Sequence, residues 1–109
     1  MDSVDDGITF VTVAGAVDIG TVPTLDSTLE TVLARDPRAL ILDLSDVHFL
    51  ASAGVESLVR TQDRLGPALV IVAAARAVVR PLAITRLTEV LTVVPTVPLA
   101  VEVLRPVLD

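Results

Sequence analysis

Four side chains capable of chemistry lie close together in the middle of the chain: Asp43, Asp46, His48 and Ser52. Two carboxylates near a histidine and a serine could in principle form an acid–base or nucleophilic site. The spacing argues against such a site, because His48 has neither a nucleophile nor a carboxylate at a recognisable interval. Asp43 and Asp46 are explained more simply as local hydrogen-bond partners. We therefore expect no catalysis, and a lone histidine in a chain without cysteine predicts no metal site.

Ser52 favours a different chemistry, phosphorylation. It stands where the following helix would take its N-cap, because a serine hydroxyl there accepts a hydrogen bond from a backbone N–H two or three residues on. The positive end of a helix also stabilises an anion, so the chain itself would tolerate a phosphate on Ser52. A plain N-cap worth ~1 kcal/mol would account for the serine equally well, and both interpretations stay open.

The elements that must position Ser52 are a strand, a loop and a helix. The strand is predicted over residues 39–44, a short apolar run bounded by turn formers. The loop takes its turn chemistry from Ser45 and Asp46. A helical period then runs from Ser52 to Leu65. The predicted apolar face of this helix consists of Val55, Leu58, Val59, Gln62 and Leu65.

The stretch FLASAGV, residues 49–55, resembles the signature of the STAS family, the anti-sigma factor antagonists. Their loop reads Phe-hydrophobic-Asp-Ser-Ser/Thr-Gly-hydrophobic, and a partner anti-sigma kinase phosphorylates the serine after the aspartate. The resemblance therefore implies that Ser52 is the phosphosite. Two residues depart from the pattern, since Ala51 replaces the aspartate and Ala53 the second hydroxyl residue. Gly54 is expected to let the helix start pack closely against the sheet.

Two further stretches carry the resemblance over nearly the whole chain. Gly15-Ala16-Val17-Asp18 is similar to the Gly-Glu-hydrophobic-Asp that closes a strand in STAS domains. A simpler explanation is a turn in which Gly15 supplies backbone freedom and Asp18 an Asx-type hydrogen bond. Ile84-Thr85-Arg86-Leu87 stands where the family often has Leu-Thr-Gly-Leu, so Arg86 replaces the usual helix-ending glycine.

The rest of the chain alternates strand and helix patterns. Further strands are predicted over 8–14, 69–73 and 90–94, with helices over 21–34, 75–87 and from Pro98 through Leu99, Val103 and Leu104. Residues 1–6 are expected to be frayed or a short edge strand before an Asp6-Gly7 hairpin turn. Thr21 is the predicted cap of the first helix, and Pro81 would interrupt the third unless that helix begins late. The expected fold class is α/β, a STAS-like single domain over residues 1–109, with a four- to five-stranded, mostly parallel mixed sheet and about four helices.

Composition and charge exclude several classes of function. Hydrophobic residues make up 52% of the chain, which excludes disorder, and the absence of Trp and Tyr predicts an aliphatic core with no platform for stacking bases. A net charge of −6 would repel a phosphate backbone, so nucleic acid is not an expected partner. The longest apolar run, residues 68–75, is far below the ~20 residues of a membrane-spanning helix. No charged leader precedes an apolar stretch, so we expect no export signal and a cytoplasmic location.

The resemblance implies a bacterial phosphoprotein that regulates transcription by binding an anti-sigma factor of the serine-kinase type, without a cofactor. The partner-binding residues expected from it are Asp18, Leu50, Ala51, Ser52, Ala53, Gly54, Val55 and Glu56. A phosphate adds about −1.5 to −2 charges to an interface that must lose water, and a cost of ~4 kcal/mol would lower the affinity about a thousandfold.

Two alternatives remain open at this point. The domain could be a STAS docking subunit of a larger signalling or lipid-transport complex, in which Ser52 is never modified. It could also be a small-molecule or nucleotide-binding domain, which would need a phosphate cradle or a polar pocket that the sequence does not display.

Overall fold

The computed structural model describes residues 2–5, 7–84, 86 and 89–108. Strands and helices alternate along them, as the sequence pattern predicts. The strands are β1 (Asp2–Asp5), β2 (Ile8–Val17), β3 (Ala39–Leu50), β4 (Leu69–Val72) and β5 (Val93–Val94). The helices are α1 (Val22–Ala34), α2 (Ser52–Leu65), α3 (Arg76–Ile84) and α4 (Val97–Leu108), with a short 3₁₀ turn at Gly66–Ala68.

The described strands form one sheet in the order β1-β2-β3-β4-β5. The first pair, β1 and β2, is antiparallel, with Asp5 opposite Ile8, which confirms the predicted edge strand. Asp6 of the predicted Asp6-Gly7 turn lies outside the described residues. The other three pairs are parallel, because a helix lies between their strands in the chain. The expected α/β class with a mostly parallel sheet is confirmed.

The sheet is covered on both faces, which explains why its central strands are continuously apolar. On one face, buried residues of α1, α2 and α3, among them Leu29, Leu58 and Leu82, pack against alternate residues of the strands. On the opposite face, Ala100 and Leu104 of α4 pack against the other set of strand residues. None of the helices built from described residues combines the length and the apolar character needed to cross a bilayer.

Strand β3 is longer than the sequence predicts. The expected loop from Ser45 to Leu50 is wrong, because these residues continue the strand and pair with the end of β2 through Val17 opposite Leu50. The apolar run that predicts the strand ends at Leu44, whereas the pairing of β3 with β2 continues beyond it through register shifts, one of them between Gly15 and Ala16. Gly15 has φ +86, which confirms its predicted backbone freedom. The predicted strand end at Ala14 and the turn at Gly15 are wrong, because β2 continues to Val17.

The C-terminal third differs from the predicted bounds in three places. Helix α3 begins at Arg76 and retains Pro81 inside it, while Thr85 and Leu87 of the predicted helix and family motif lie outside the described residues. The last strand is limited to β5, so the predicted start at Val90 is wrong. Helix α4 begins at Val97, but Leu99 and Val103 are exposed, because Ala100 and Leu104 form the face that packs on the sheet.

Candidate functional site

Ser52 is the first residue of α2, which begins directly after β3. A single residue, Ala51, separates the two elements, and its extended backbone (φ −87°, ψ 166°) makes it the N-cap. The prediction that Ser52 is the N-cap is therefore wrong by one residue, because β3 runs on to Leu50 and brings the helix start forward. Alanine has no side-chain acceptor, so the first turn of α2 lacks a side-chain cap.

The backbone holds this junction against the end of β2. The Ala51 N–H donates to the Val17 carbonyl oxygen over 2.8 Å. A Cβ atom at Gly54 would lie 2.5 Å from Val17 Cγ1 and 2.8 Å from Leu50 Cδ1, closer than carbon atoms approach. The expectation that Gly54 permits close packing of the helix start is confirmed, and the position of Ser52 follows from that packing.

The residues expected at a partner surface differ in exposure. Ser52 and Glu56 are exposed on α2, and Ala51, Ala53 and Val55 are half-buried. Leu50 and Gly54 are buried, so they pack beneath the exposed residues of this surface.

Asp18 is half-buried and organises the turn between β2 and α1. Its carboxylate Oδ1 accepts hydrogen bonds from the N–H groups of Gly20, over 2.9 Å, and Thr21, over 3.0 Å. The predicted Asx-type role of Asp18 is confirmed. The predicted cap at Thr21 is wrong in its chemistry, because the Thr21 hydroxyl donates to the Ala16 carbonyl oxygen and accepts from the Asp18 N–H instead of capping the helix.

Two exposed apolar side chains flank the junction. Ile19 is 84% exposed and Phe49 is 52% exposed. Ile19 lies two residues after Val17 and Phe49 two residues before Ala51, so both are close in the chain to the backbone bond that joins β2 to the start of α2. Sequence reasoning missed Ile19, whose signal was an isolated apolar residue between Asp18 and Gly20 in a turn.

A groove with a volume of about 560 Å³ opens beside Ser52 between α2 and α3. Ser52 and Glu56 line it from α2, and Arg76 and Arg80 line it from α3. Its apolar lining is provided by Leu50, Val55, Ala77, Pro81 and Ile84. No local pattern predicts that the two arginines lie near Ser52, because the packing of α3 beside α2 depends on the order of the strands.

A second polar cluster lies between α1 and α2. The buried Ser57 hydroxyl donates to Asp26 Oδ1 over 2.5 Å, and Arg60 donates to both Asp26 oxygens over 3.2–3.3 Å. Thr61, also buried, donates to the Ser57 carbonyl oxygen over 2.9 Å. Ser57 and Thr61 lie outside the predicted apolar face of α2, of which Leu58 alone is fully buried, so the apolar periodicity did not identify this cluster.

The remaining candidates do not assemble into a reactive site. Asp43 accepts hydrogen bonds from the backbone N–H and hydroxyl of Ser45, which confirms its local role. Asp46 and His48 are exposed residues of β3. In the parts of the chain that the structure describes, no three His, Cys, Asp or Glu side chains are grouped so that they could hold a metal ion.

Comparison with known proteins gives consistent matches. The family model of the STAS domain matches residues 2–100. Over 60 residues the chain is 35% identical to the anti-sigma-F factor antagonist RsfB of Mycobacterium tuberculosis, in strain CDC 1551 / Oshkosh and in strain ATCC 25618 / H37Rv. That match takes in 55% of this chain and 49% of each relative, so it spans about half the length of these curated proteins.

Solved structures extend the similarity to the full chain. The crystal structure of an anti-sigma factor antagonist from Mycobacterium paratuberculosis has a TM-score of 0.88 and 34% identity, covering 100% of this chain and 92% of that one. A crystal structure of the protein TM1081 from Thermotoga maritima has a TM-score of 0.86 over 94% of this chain and 91% of that one. Its identity is 18%, so this second likeness shows the fold alone.

Proposed function

The chain belongs to the STAS domain family, and from this premise we propose that it binds an anti-sigma factor of the serine-kinase type and is released from it by phosphorylation of Ser52. Its relatives are anti-sigma factor antagonists, which regulate and do not catalyse, so the expectation that it is not an enzyme is confirmed. An anti-sigma factor acts where transcription takes place, and the proposal therefore includes a bacterial cytoplasmic location.

One observation carries the proposal: Ser52 is exposed on the first turn of α2, held there by the Ala51–Val17 backbone bond. A kinase can reach such a hydroxyl, and the helix N-terminus stabilises the charge that it adds. In the reaction, Ser52 Oγ forms a bond to the terminal phosphorus of a nucleoside triphosphate bound by the kinase. The bond to the nucleoside diphosphate breaks, and the hydroxyl proton passes to a base of the kinase.

The proposed partner surface surrounds this hydroxyl. It comprises the exposed Ile19 and Phe49 together with the expected residues Asp18, Leu50, Ala51, Ser52, Ala53, Gly54, Val55 and Glu56. Exposed apolar and aromatic side chains are common anchors of a protein interface. Phosphorylation places about two negative charges in that surface, and binding would have to remove their water.

The alternative is a docking subunit whose serine is never modified. The observation in its favour is that Ala51 occupies the N-cap position where the family motif has an aspartate. If that aspartate takes part in phosphorylation, its absence would leave a domain that binds without a switch.

Recovery of the chain from its native cells tests the proposal. The protein would be captured under mild conditions in two growth states, the bound protein identified, and the peptide containing Ser52 weighed. We expect an anti-sigma factor to be bound to unmodified chain and the free chain to carry one phosphoryl group at Ser52. A Ser52→Ala strain controls for phosphorylation at other serines. Unmodified Ser52 in both bound and free chain would reject the switch, and absence of any anti-sigma factor would reject the partner.

A further inference from the structure

The groove beside Ser52 carries an excess of positive charge in a chain whose net charge is −6. Arg76 and Arg80 are four residues apart on α3, and therefore lie on one side of that helix. Ser52 and Glu56 have the same spacing on α2 and form the opposite wall. Among the described residues, ion pairs join Arg60 to Asp26 and Arg105 to Glu102, and none involves Arg76 or Arg80. Both guanidinium groups are therefore available to an anion in the groove.

We propose that Arg76 and Arg80 bind the phosphoryl group of phosphorylated Ser52 across the groove, within the same chain. This inference rests on the proposed function, because it takes Ser52 as the modified residue. A guanidinium group offers several N–H donors in a planar fork that matches phosphate oxygens, and it is charged at every physiological pH. The N-terminus of α2, which carries the positive end of the helix dipole, would stabilise the phosphate from the other side. Glu56 opposes the binding with one negative charge, so the charges of the groove sum to +1 from two arginines and one glutamate.

Binding of the phosphoryl group in the groove would change how phosphorylation releases the partner. In the unmodified chain, two arginines beside an apolar lining that includes Val55 and Ile84 would accept an acidic side chain next to an apolar one from the partner. A phosphoryl group on Ser52 would occupy the same arginines. Phosphorylation would then compete for the groove from within the chain, in addition to placing charge at the interface.

The experiment uses the full chain with phosphoserine inserted at position 52 during translation, so that no kinase is needed. Phosphorus NMR across a pH series gives the second pKa of the phosphoserine, which is about 6 when unperturbed. Neighbouring arginines favour the dianion and lower this pKa. The double variant Arg76→Gln/Arg80→Gln should therefore raise it by about half a pH unit, which two exposed ion pairs of ordinary strength supply. Glu56→Gln should shift the pKa in the opposite direction.

Arg64→Gln is the matched control, because it removes one exposed arginine from the far end of α2. Twelve residues of helix separate it from Ser52, about 18 Å, which exceeds the Debye length at physiological ionic strength. A pKa raised in the double variant and unchanged in Arg64→Gln supports the proposal. The same pKa in all variants, or an equal rise in Arg64→Gln, overturns it. Either result is independent of whether an anti-sigma factor phosphorylates the chain, so the proposed function stands or fails separately.

Discussion

Gly54 lies so close to Val17 that a Cβ atom on it would stand 2.5 Å from Val17 Cγ1. The same valine accepts the Ala51 N–H through its carbonyl oxygen. The first turn of α2 is therefore attached to the end of β2 by one backbone hydrogen bond and one contact that excludes any side chain larger than hydrogen. Ser52 lies between these two attachments, so its position is set by the core and not by a mobile loop.

Gly54→Ala is expected to destabilise the protein by about 1–3 kcal/mol, the usual cost of overpacking a well-packed site. The new methyl group would overlap Val17 Cγ1 and Leu50 Cδ1, and α2 would have to move away from the sheet. Urea unfolding of the variant measures the effect. Gly20→Ala is the control, since it lies in an exposed turn where an added Cβ would meet Asp18 Oδ1 at 3.3 Å and no core side chain. Equal stability of the two variants would show that the helix start tolerates displacement.

Ala51→Asp is expected to stabilise the protein by ~1 kcal/mol, because an aspartate at the N-cap can accept a hydrogen bond from a backbone N–H of the first turn, which has no side-chain cap in the wild type. The extended backbone of Ala51 already has the conformation of a cap, so no rearrangement is required. Thermal unfolding should show a melting temperature raised by roughly 4 °C or more. A melting temperature at or below that of wild type would mean that the side chain cannot reach those groups.

Ala51→Asn separates this structural effect from any role in phosphorylation. Asparagine caps a helix about as well as aspartate but carries no charge. If the family's aspartate acts in the phosphorylation of the neighbouring serine, an anti-sigma kinase should modify Ala51→Asp faster than both wild type and Ala51→Asn. Equal rates for the two variants would assign the aspartate to the helix alone.

The order of strands and helices could be predicted from the sequence, because long apolar periods such as that of α1 identify their elements without tertiary information. The extent of β3 could not. Its last residues, Ser45 to Leu50, are half polar and pair with β2 alone, so their strand conformation depends on a partner distant in the chain. That the chain is a single domain over residues 1–109 stays a prediction.

In the candidate site, too, local features could be predicted from the sequence and features that depend on distant elements could not. A local motif sufficed to select Ser52 and to explain Gly54, because both depend on the junction of one strand with one helix. The groove with Arg76 and Arg80 depends on α3 lying beside α2, which no local pattern contains. The Asp26–Ser57 hydrogen bond was missed for a related reason, since small hydroxyl residues on a helix predict solvent exposure unless a partner across the interface is known.

Asp26→Ala is expected to cost about 1–3 kcal/mol, because it leaves the buried Ser57 hydroxyl without its short hydrogen bond. Loss of the Arg60–Asp26 ion pair should account for the smaller part of this cost. The Arg60 side chain is 60% exposed, and an exposed ion pair is worth about 0–1 kcal/mol. A double-mutant cycle measured by urea unfolding would compare Ser57→Ala and Arg60→Ala, each combined with Asp26→Ala. Stronger coupling of Asp26 to Arg60 than to Ser57 would contradict this ranking.

Arg86→Gly is expected to stabilise the protein by about 1 kcal/mol, the cost of placing a residue with a Cβ in the left-handed region. Arg86 has φ +60, and it stands where the STAS motif often has glycine. Arg86→Ala is the control, because it removes the charged side chain but keeps the Cβ and therefore the strain. Thermal unfolding should separate the two variants, and an equal rise in both would attribute the effect to the arginine side chain.

Ser52→Asp is expected to leave the fold intact and to weaken binding to the anti-sigma factor. A carboxylate at the first turn of α2 interacts favourably with the helix N-terminus, by about 0.3–1 kcal/mol, so the melting temperature should stay equal or rise. The same charge must lose its water at an interface, and a cost of about 2–3 kcal/mol would lower the affinity by roughly 30- to 150-fold. Ser52→Ala should bind almost as wild type does.

Ser52→Asn controls for size, because it has the shape of aspartate without the charge. Calorimetric titration of the partner into each variant, together with thermal unfolding, gives both quantities. Wild-type affinity in Ser52→Asp would place the interface elsewhere on the domain, whereas equal weakening in Ser52→Asp and Ser52→Asn would mean that bulk, and not charge, blocks the partner.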